Sequence, residues 1–197
     1  MDSKRTMLLY LTPEQEGRVA PDTRVILLNA ATRQLKELWP GDAIPAVDNS
    51  HLHIYTVPTT PVEAVFAMQD VIRCTAPSGA LVRPGFCFRV RLRYISPMGL
   101  RALLTAPLDR GELPPECITL EDLYNTLRKP MQAACLKAAE QFSGGQTLSY
   151  THWWQEFQSG SAFAGQLASA LVPVFNSHGF RLDAESVAVK GLAGIPV

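Results

Sequence analysis

Between Gly85 and Ile95 the chain reads GFCFRVRLRYI, and no other stretch restricts the fold as tightly. Large apolar side chains fall at Phe86, Phe88, Val90, Leu92 and Tyr94, with Cys87, Arg89, Arg91 and Arg93 between them. A period of two is that of a β-strand, in which successive side chains leave opposite faces. On a helix the same residues would scatter the arginines and the apolar groups around the circumference. The spacing therefore predicts a strand with one face in a core and the other in water. On that outer face Arg89, Arg91 and Arg93 stand about 6 to 7 Å apart at each step. Such a strand needs a sheet around it and a second layer against its apolar side.

The rest of the sequence supplies both. RVILL (Arg24–Leu28) and Gln34–Trp39 read as strands joined by a turn at Asn29–Thr32, and Pro40-Gly41 stops the second. His51–Val57 alternates, Val62–Arg73 is extended in character, and Ala76-Pro77-Ser78-Gly79 reads as a turn. Ser96-Pro97 ends the arginine strand, and Met98–Thr105 is a short helix candidate. Beyond residue 110 the texture becomes helical. Thr119 and Asp122 form a T-x-x-D start signal, and Leu120, Leu123, Tyr124, Leu127, Met131, Ala134, Cys135 and Ala138 then follow helical spacing. Pro130 is expected to kink or interrupt that helix, and Ser143-Gly144-Gly145 to end it. Ser149–Phe157 and Ser161–Ser177 read as two more helices, the second weakened by Pro173 and capped by Gly179. Phe180–Val189, extending toward Ile195, reads as a closing strand. The fold class is α+β: a mostly antiparallel sheet in the N-terminal half, packed with C-terminal helices and a closing strand. The expected organisation is an arm or short strand over 1–16, then one domain over 17–197. Within that domain 17–108 is β-rich, 109–179 mainly helical and 180–195 the last strand.

Composition narrows the function. Of 197 residues, 47% are hydrophobic and 18% charged, so a core is within reach and disorder is not expected. Eighteen basic residues balance eighteen acidic ones, which excludes a whole-chain polycation or an acidic tail protein. No apolar run approaches the roughly 18 to 20 residues of a membrane-spanning helix. Met7–Leu11 is too short for the core of a secretory signal. Cys74, Cys87, Cys117 and Cys135 are dispersed and form no C-x-x-C, so neither a zinc ribbon nor a redox motif is present. Reduced, mostly buried thiols in a cytoplasmic protein are the expectation.

Four segments, taken in order, give the chain a family likeness. They are RVILLNAATRQLKELWPGDAIPA, then AVFAMQDVIRCTAPSGALVRPGFCFRVRLRYISPMGLRALL, then the helix opening at Leu120–Leu127, then NSHGFRLDAESVAVKGL. Their order and spacing, over roughly residues 17 to 195, resemble the SPFH superfamily, or band 7 domain. That family comprises stomatins, prohibitins, flotillins and bacterial relatives that include cytoplasmic virion-core-protein-like members. The resemblance implies a strand–turn–strand opening, an extended aromatic strand followed by a short helix, and a final strand after the last helix. It also implies a non-enzymatic scaffold that associates with itself or with protein partners. Family members normally carry a membrane anchor before the domain or a coiled coil after it. Neither is expected within this sequence, so a peripheral place on the inner face of a membrane is the most that the resemblance implies.

Several constellations of residue types could carry chemistry. Residues 71–108 carry six arginines (Arg73, Arg83, Arg89, Arg91, Arg93, Arg101) and no Asp or Glu. Like charges this close need solvent or paired acids from neighbouring elements. The plain expectation is a solvated strand face with paired acids. The functional alternatives at Arg89, Arg91 and Arg93 are an anionic surface or ligand and a subunit interface. Nucleic acid is not expected, since no aromatic residue interleaves on the arginine side and no recognition motif occurs. His51 and His53 lie i, i+2 near Asp48 without an assigned third ligand, so no metal is expected. No serine or cysteine sits in a nucleophile elbow, and Gly144-Gly145 lacks the Lys-Ser/Thr of a phosphate loop. Trp153 and Trp154 are surface-aromatic candidates. Adjacent helical positions lie about 100° apart, so one can face the core while the other reaches solvent. No cofactor and no catalytic residue is expected. The alternative to a scaffold is a small enzyme or anionic-ligand binder whose site forms no motif.

Overall fold

The structure is a computed structural model that describes residues 7–11, 17–46, 51–159 and 162–193. Its strands and helices run in the order β1 (Met7–Leu11), β2 (Gly17–Arg18), β3 (Thr23–Asn29), β4 (Gln34–Leu38), β5 (Ala43–Ile44), β6 (Leu52–Pro58) and β7 (Val62–Met68). There follow β8 (Cys74–Thr75), β9 (Leu81–Val82), β10 (Gly85–Tyr94), a 3-10 turn at Pro97–Leu100, α1 (Arg101–Asp109) and β11 (Cys117–Thr119). The chain closes with α2 (Leu120–Ser143), β12 (Leu148–Ser149), α3 (Tyr150–Ser159), α4 (Ala162–Asn176) and β13 (Phe180–Ala193). The fold is α+β with antiparallel sheets, and β8 and β12 pair in parallel. The chain forms two compact units: 1–62 with 93–125 and 177–181, and 63–92 with 126–176 and 182–197.

The first unit holds a five-stranded sheet in the order β11-β1-β6-β3-β4. Met7–Leu11 is thus a paired strand, bonded to β6 and to β11. β3 and β4 form the hairpin that the sequence predicts, in register from Val25↔Leu38 to Asn29↔Gln34. Asn29 shapes its turn: the side-chain oxygen accepts from the N–H groups of Ala31 and Thr32, both at 3.0 Å. β3 is buried on both sides, which is why it reads as an unbroken aliphatic run instead of alternating. Val25 and Leu27 join Val19, Leu38, Ile44 and Ile54 in one cluster. Arg24, on the same strand, pairs with Glu37 at 3.2 Å and lies over the Trp39 ring at 3.2 Å. At the other end of the unit Gly179 takes φ 79° and its carbonyl accepts from Ile95 N at 2.9 Å and Ser96 N at 3.3 Å.

The capping signal at Thr119 is used as written. The Thr119 N–H and hydroxyl donate to the Asp122 carboxylate at 2.8 and 2.7 Å, and Asp122 N–H donates back to the Thr119 hydroxyl at 3.3 Å. Thr119→Ala is expected to cost about 1 kcal/mol in urea unfolding, with Thr119→Ser recovering most of it. α2 then runs unbroken through Pro130. The proline removes one backbone bond, but Leu127 and Met131 on either side are fully buried and hold both halves in place. Pro173 likewise leaves α4 continuous.

The second unit holds a three-stranded sheet, β13-β10-β7, a small sheet, β12-β8-β9, and α3, α4 and α2 from Thr126 onward. Every second residue of β7 and β10 is buried, so this sheet has one wet face. Its dry face meets aromatic rings. Phe66 lies 5.7 Å from Phe88 and 5.8 Å from Phe175, while Phe86 lies 5.9 Å from Phe163 and 6.1 Å from Phe157. These spacings are those of favourable ring pairs, and the rings account for most of the large side chains of this core.

Candidate functional site

The arginine strand has the predicted register. Phe86, Phe88, Val90, Leu92 and Tyr94 are all buried, and Arg91 and Arg93 are exposed, with Cys87 and Arg89 half-buried. Glu63 on β7 lies beside this face, 3.4 Å from Arg91 and 4.0 Å from Arg89. One carboxylate therefore serves two guanidiniums, and all three side chains are 43% to 56% exposed. Pairs this wet contribute about 0.2 to 1 kcal/mol each. Arg93, two residues further along the same strand face, has no carboxylate within 4.0 Å among the described residues, and neither do Arg73, Arg83 and Arg101. Among the described residues, the expected pairing of the face with acids is thus present at Glu63 alone.

On the other side of β10, Ser186 of β13 meets the backbone of Arg91. Its hydroxyl accepts from Arg91 N at 2.7 Å and donates to the Asp183 carbonyl at 2.6 Å. Asp183, Ala184 and Glu185 are exposed in succession at this point. Asp183 and Glu185 form no ion pair within 4.0 Å among the described residues. A positive strand and a negative segment thus lie on neighbouring strands of one open sheet.

The two tryptophans separate as the helical angle requires. Trp154 is 39% exposed, with Tyr150 stacked beside it at 6.3 Å. Trp153 is no surface residue: it is 1% exposed and packs at 5.1 Å from Phe142 and 5.2 Å from Phe163. It also lines a cavity of about 450 Å³ together with Val71, Arg73, Leu136, Glu140 and Thr147. Local rules build this cavity. Gly144 and Gly145 take φ 61° and 77°, and Gly145 N donates to the Glu140 carbonyl at 3.1 Å, a Schellman closure of α2. Ser149 accepts from His152 N at 3.1 Å and caps α3 four residues before Trp153. Between them, β12 pairs in parallel with β8 through Leu148↔Cys74, which brings the segment after α2 alongside Arg73.

The remaining candidates give less. His53 has its pKa lowered by burial and then by the neighbouring His51, so it is neutral at pH 7. Among the described residues no three of His, Cys, Asp and Glu gather to hold a metal ion; Asp48 lies outside them. All four cysteines are free. Burial pushes the Cys135 thiol up to about 12 and raises that of Cys74, which keeps both protonated and poor as nucleophiles. Among the described residues no helix is long and apolar enough to cross a membrane.

No family model matches the chain, and no curated protein matches it.

Proposed function

We propose that the chain is a non-enzymatic interaction domain of the SPFH type that associates with a protein partner, a second copy foremost, through the open face of the β13-β10-β7 sheet. The observation that carries this reading is the wet face of β10, where Arg89 and Arg91 share the single carboxylate of Glu63. An exposed sheet face, with excess positive charge beside Asp183 and Glu185, which form no ion pair within 4.0 Å among the described residues, suits a partner that brings complementary charge. A second copy brings both signs at once. The element order supports the family assignment: a strand–turn–strand opening, an extended aromatic strand, a 3-10 turn with a short helix, a long helix and a closing strand.

Peripheral attachment to an anionic membrane is the second reading, favoured by the same arginines. Replacing Arg89, Arg91 and Arg93 together by glutamine separates the two. In the first case the variant loses assembly mass in light scattering at low salt, where exposed charges are least screened, and vesicle binding is unimportant. In the second it loses co-sedimentation with phosphatidylserine vesicles by about 1 kcal/mol per charge, and salt screens the wild-type binding. Identical behaviour of wild type and variant in both assays would contradict both readings of this face.

A further inference from the structure

A second cavity, in the first unit, gathers cations and apolar groups, and no Asp or Glu is among its described lining residues. The register of the five-stranded sheet builds it. Leu27 of β3 stands opposite Lys36 of β4, and Asn29 stands between Gln34 of β4 and Leu52 of β6. Paired residues, and residues two apart on one strand, share a face, so these five side chains leave the sheet together. Along the edge strand β4, Leu35, Met98 of the 3-10 turn and Arg101 at the start of α1 complete a cavity of about 360 Å³. That volume is near the lower end of the usual range for small-molecule sites. Leu27 is buried and Leu35 and Leu52 are half-buried, whereas Lys36, Met98 and Arg101 are exposed. The deeper part of the lining is thus apolar and the charged part is wet.

The polar groups of this lining are chiefly donors. Lys36 and Arg101 form no ion pair within 4.0 Å among the described residues. Glu37, next to Lys36 in sequence, is taken by Arg24, and Asp109 of α1 by Arg33. Asn29 Oδ1 already accepts from the N–H groups of Ala31 and Thr32, so what Asn29 offers a ligand is its NH2 group. We infer that this cavity binds a medium-chain aliphatic carboxylate. Lys36, Arg101 and the Asn29 amide receive the carboxylate, and the chain lies along Leu27, Leu35, Leu52 and Met98. Two cations without an acid select an anion, and an amine with the same chain would bring like charge to both. The small volume suits one short chain better than the two of a phospholipid. All eight lining residues lie in the first unit, whereas Glu63, Arg89 and Arg91 lie in the second, so failure of this inference would leave the proposed association standing.

The test uses the full chain with ¹³C-labelled methionine methyl groups and follows the Met98 resonance, identified by its loss in Met98→Leu. The probes are octanoate, hexanoate and butanoate, with octylammonium as the same chain of opposite charge. The expected result is a saturable Met98 shift with octanoate at a Kd below roughly 1 mM. Each methylene removed should weaken binding about two-fold or more, because part of the chain's apolar surface leaves water on binding. Octylammonium should bind at least about ten-fold more weakly. Lys36→Gln with Arg101→Gln, both at exposed positions, should weaken octanoate binding about ten-fold while leaving the rest of the spectrum in place. No saturable shift with octanoate would overturn the inference. So would equal binding of octylammonium, which would reduce the cavity to an apolar patch, or unchanged binding in the double variant. A Met98 shift with phosphatidylserine vesicles but none with octanoate would overturn it in favour of a membrane contact.

Discussion

Gly99→Ala is expected to destabilise the chain by at least about 3 kcal/mol, beyond what most single substitutions cost. A Cβ at Gly99 would overlap the backbone carbonyl of His178 and the nitrogen of Gly179. Neither is the free end of a side chain that could swing aside. The 178–179 backbone is itself held against residues 95–96, because Gly179 O accepts from Ile95 N and Ser96 N. Gly179 closes the crossing from its own side, since its φ of 79° disfavours any side chain and a Cβ there would strike the Ser96 carbonyl. Gly165→Ala is the matched control: it lies in α4, and nothing stands within 4 Å of an added Cβ. There the same change should stabilise by up to about 1 kcal/mol through helix propensity. Urea unfolding of the two variants reads both effects. A loss below about 1 kcal/mol at Gly99 would mean that the crossing is looser than described.

Leu92→Ala is expected to cost about 2 to 5 kcal/mol, because the side chain is 1% exposed and its removal leaves a cavity in a packed interior. Arg91→Gln, one residue earlier on the wet face, should cost no more than about 1 kcal/mol, the most its exposed pair with Glu63 contributes. The contrast between adjacent residues tests the register directly. A one-residue slip of β10 would send every apolar side chain to solvent and exchange the two outcomes. Guanidinium or urea titration of both variants, with the same slope as the wild type, checks it.

Residues whose neighbours repeat a pattern were legible in the sequence. β10 alternates over ten residues, and its faces fell where the alternation puts them. The α2 stripe from Leu120 to Ala138 is buried throughout except at the half-buried Tyr124, and the T-x-x-D start signal opens the helix at Thr119. The two-residue strands β2, β5, β8, β9 and β12 were not legible, because two residues carry no period. They exist through pairing with distant segments, as Leu148 does with Cys74. The interleaving of the two units was hidden for the opposite reason. β10 and α2 each contribute residues to both units, and their periodicity does not change at the division. At the arginine face the charge block itself was visible, but not its acid partner. Glu63 lies 26 residues before Arg89 and 28 before Arg91, and only strand pairing brings them together. The cavity at Trp153 had no sequence signature beyond the tryptophan. It depends on Gly144, Gly145 and Ser149 turning the chain between α2 and α3.

The proposed association is tested most directly by the mass of the wild-type chain in solution, measured by multi-angle light scattering over a range of concentrations. One chain weighs 21.6 kDa. A second copy docking on the arginine face predicts a mass that rises with concentration toward a multiple of that value, and a return to the single-chain mass when Arg89, Arg91 and Arg93 are replaced. A constant single-chain mass at every concentration would contradict self-association, as would a larger mass that the triple replacement leaves unchanged.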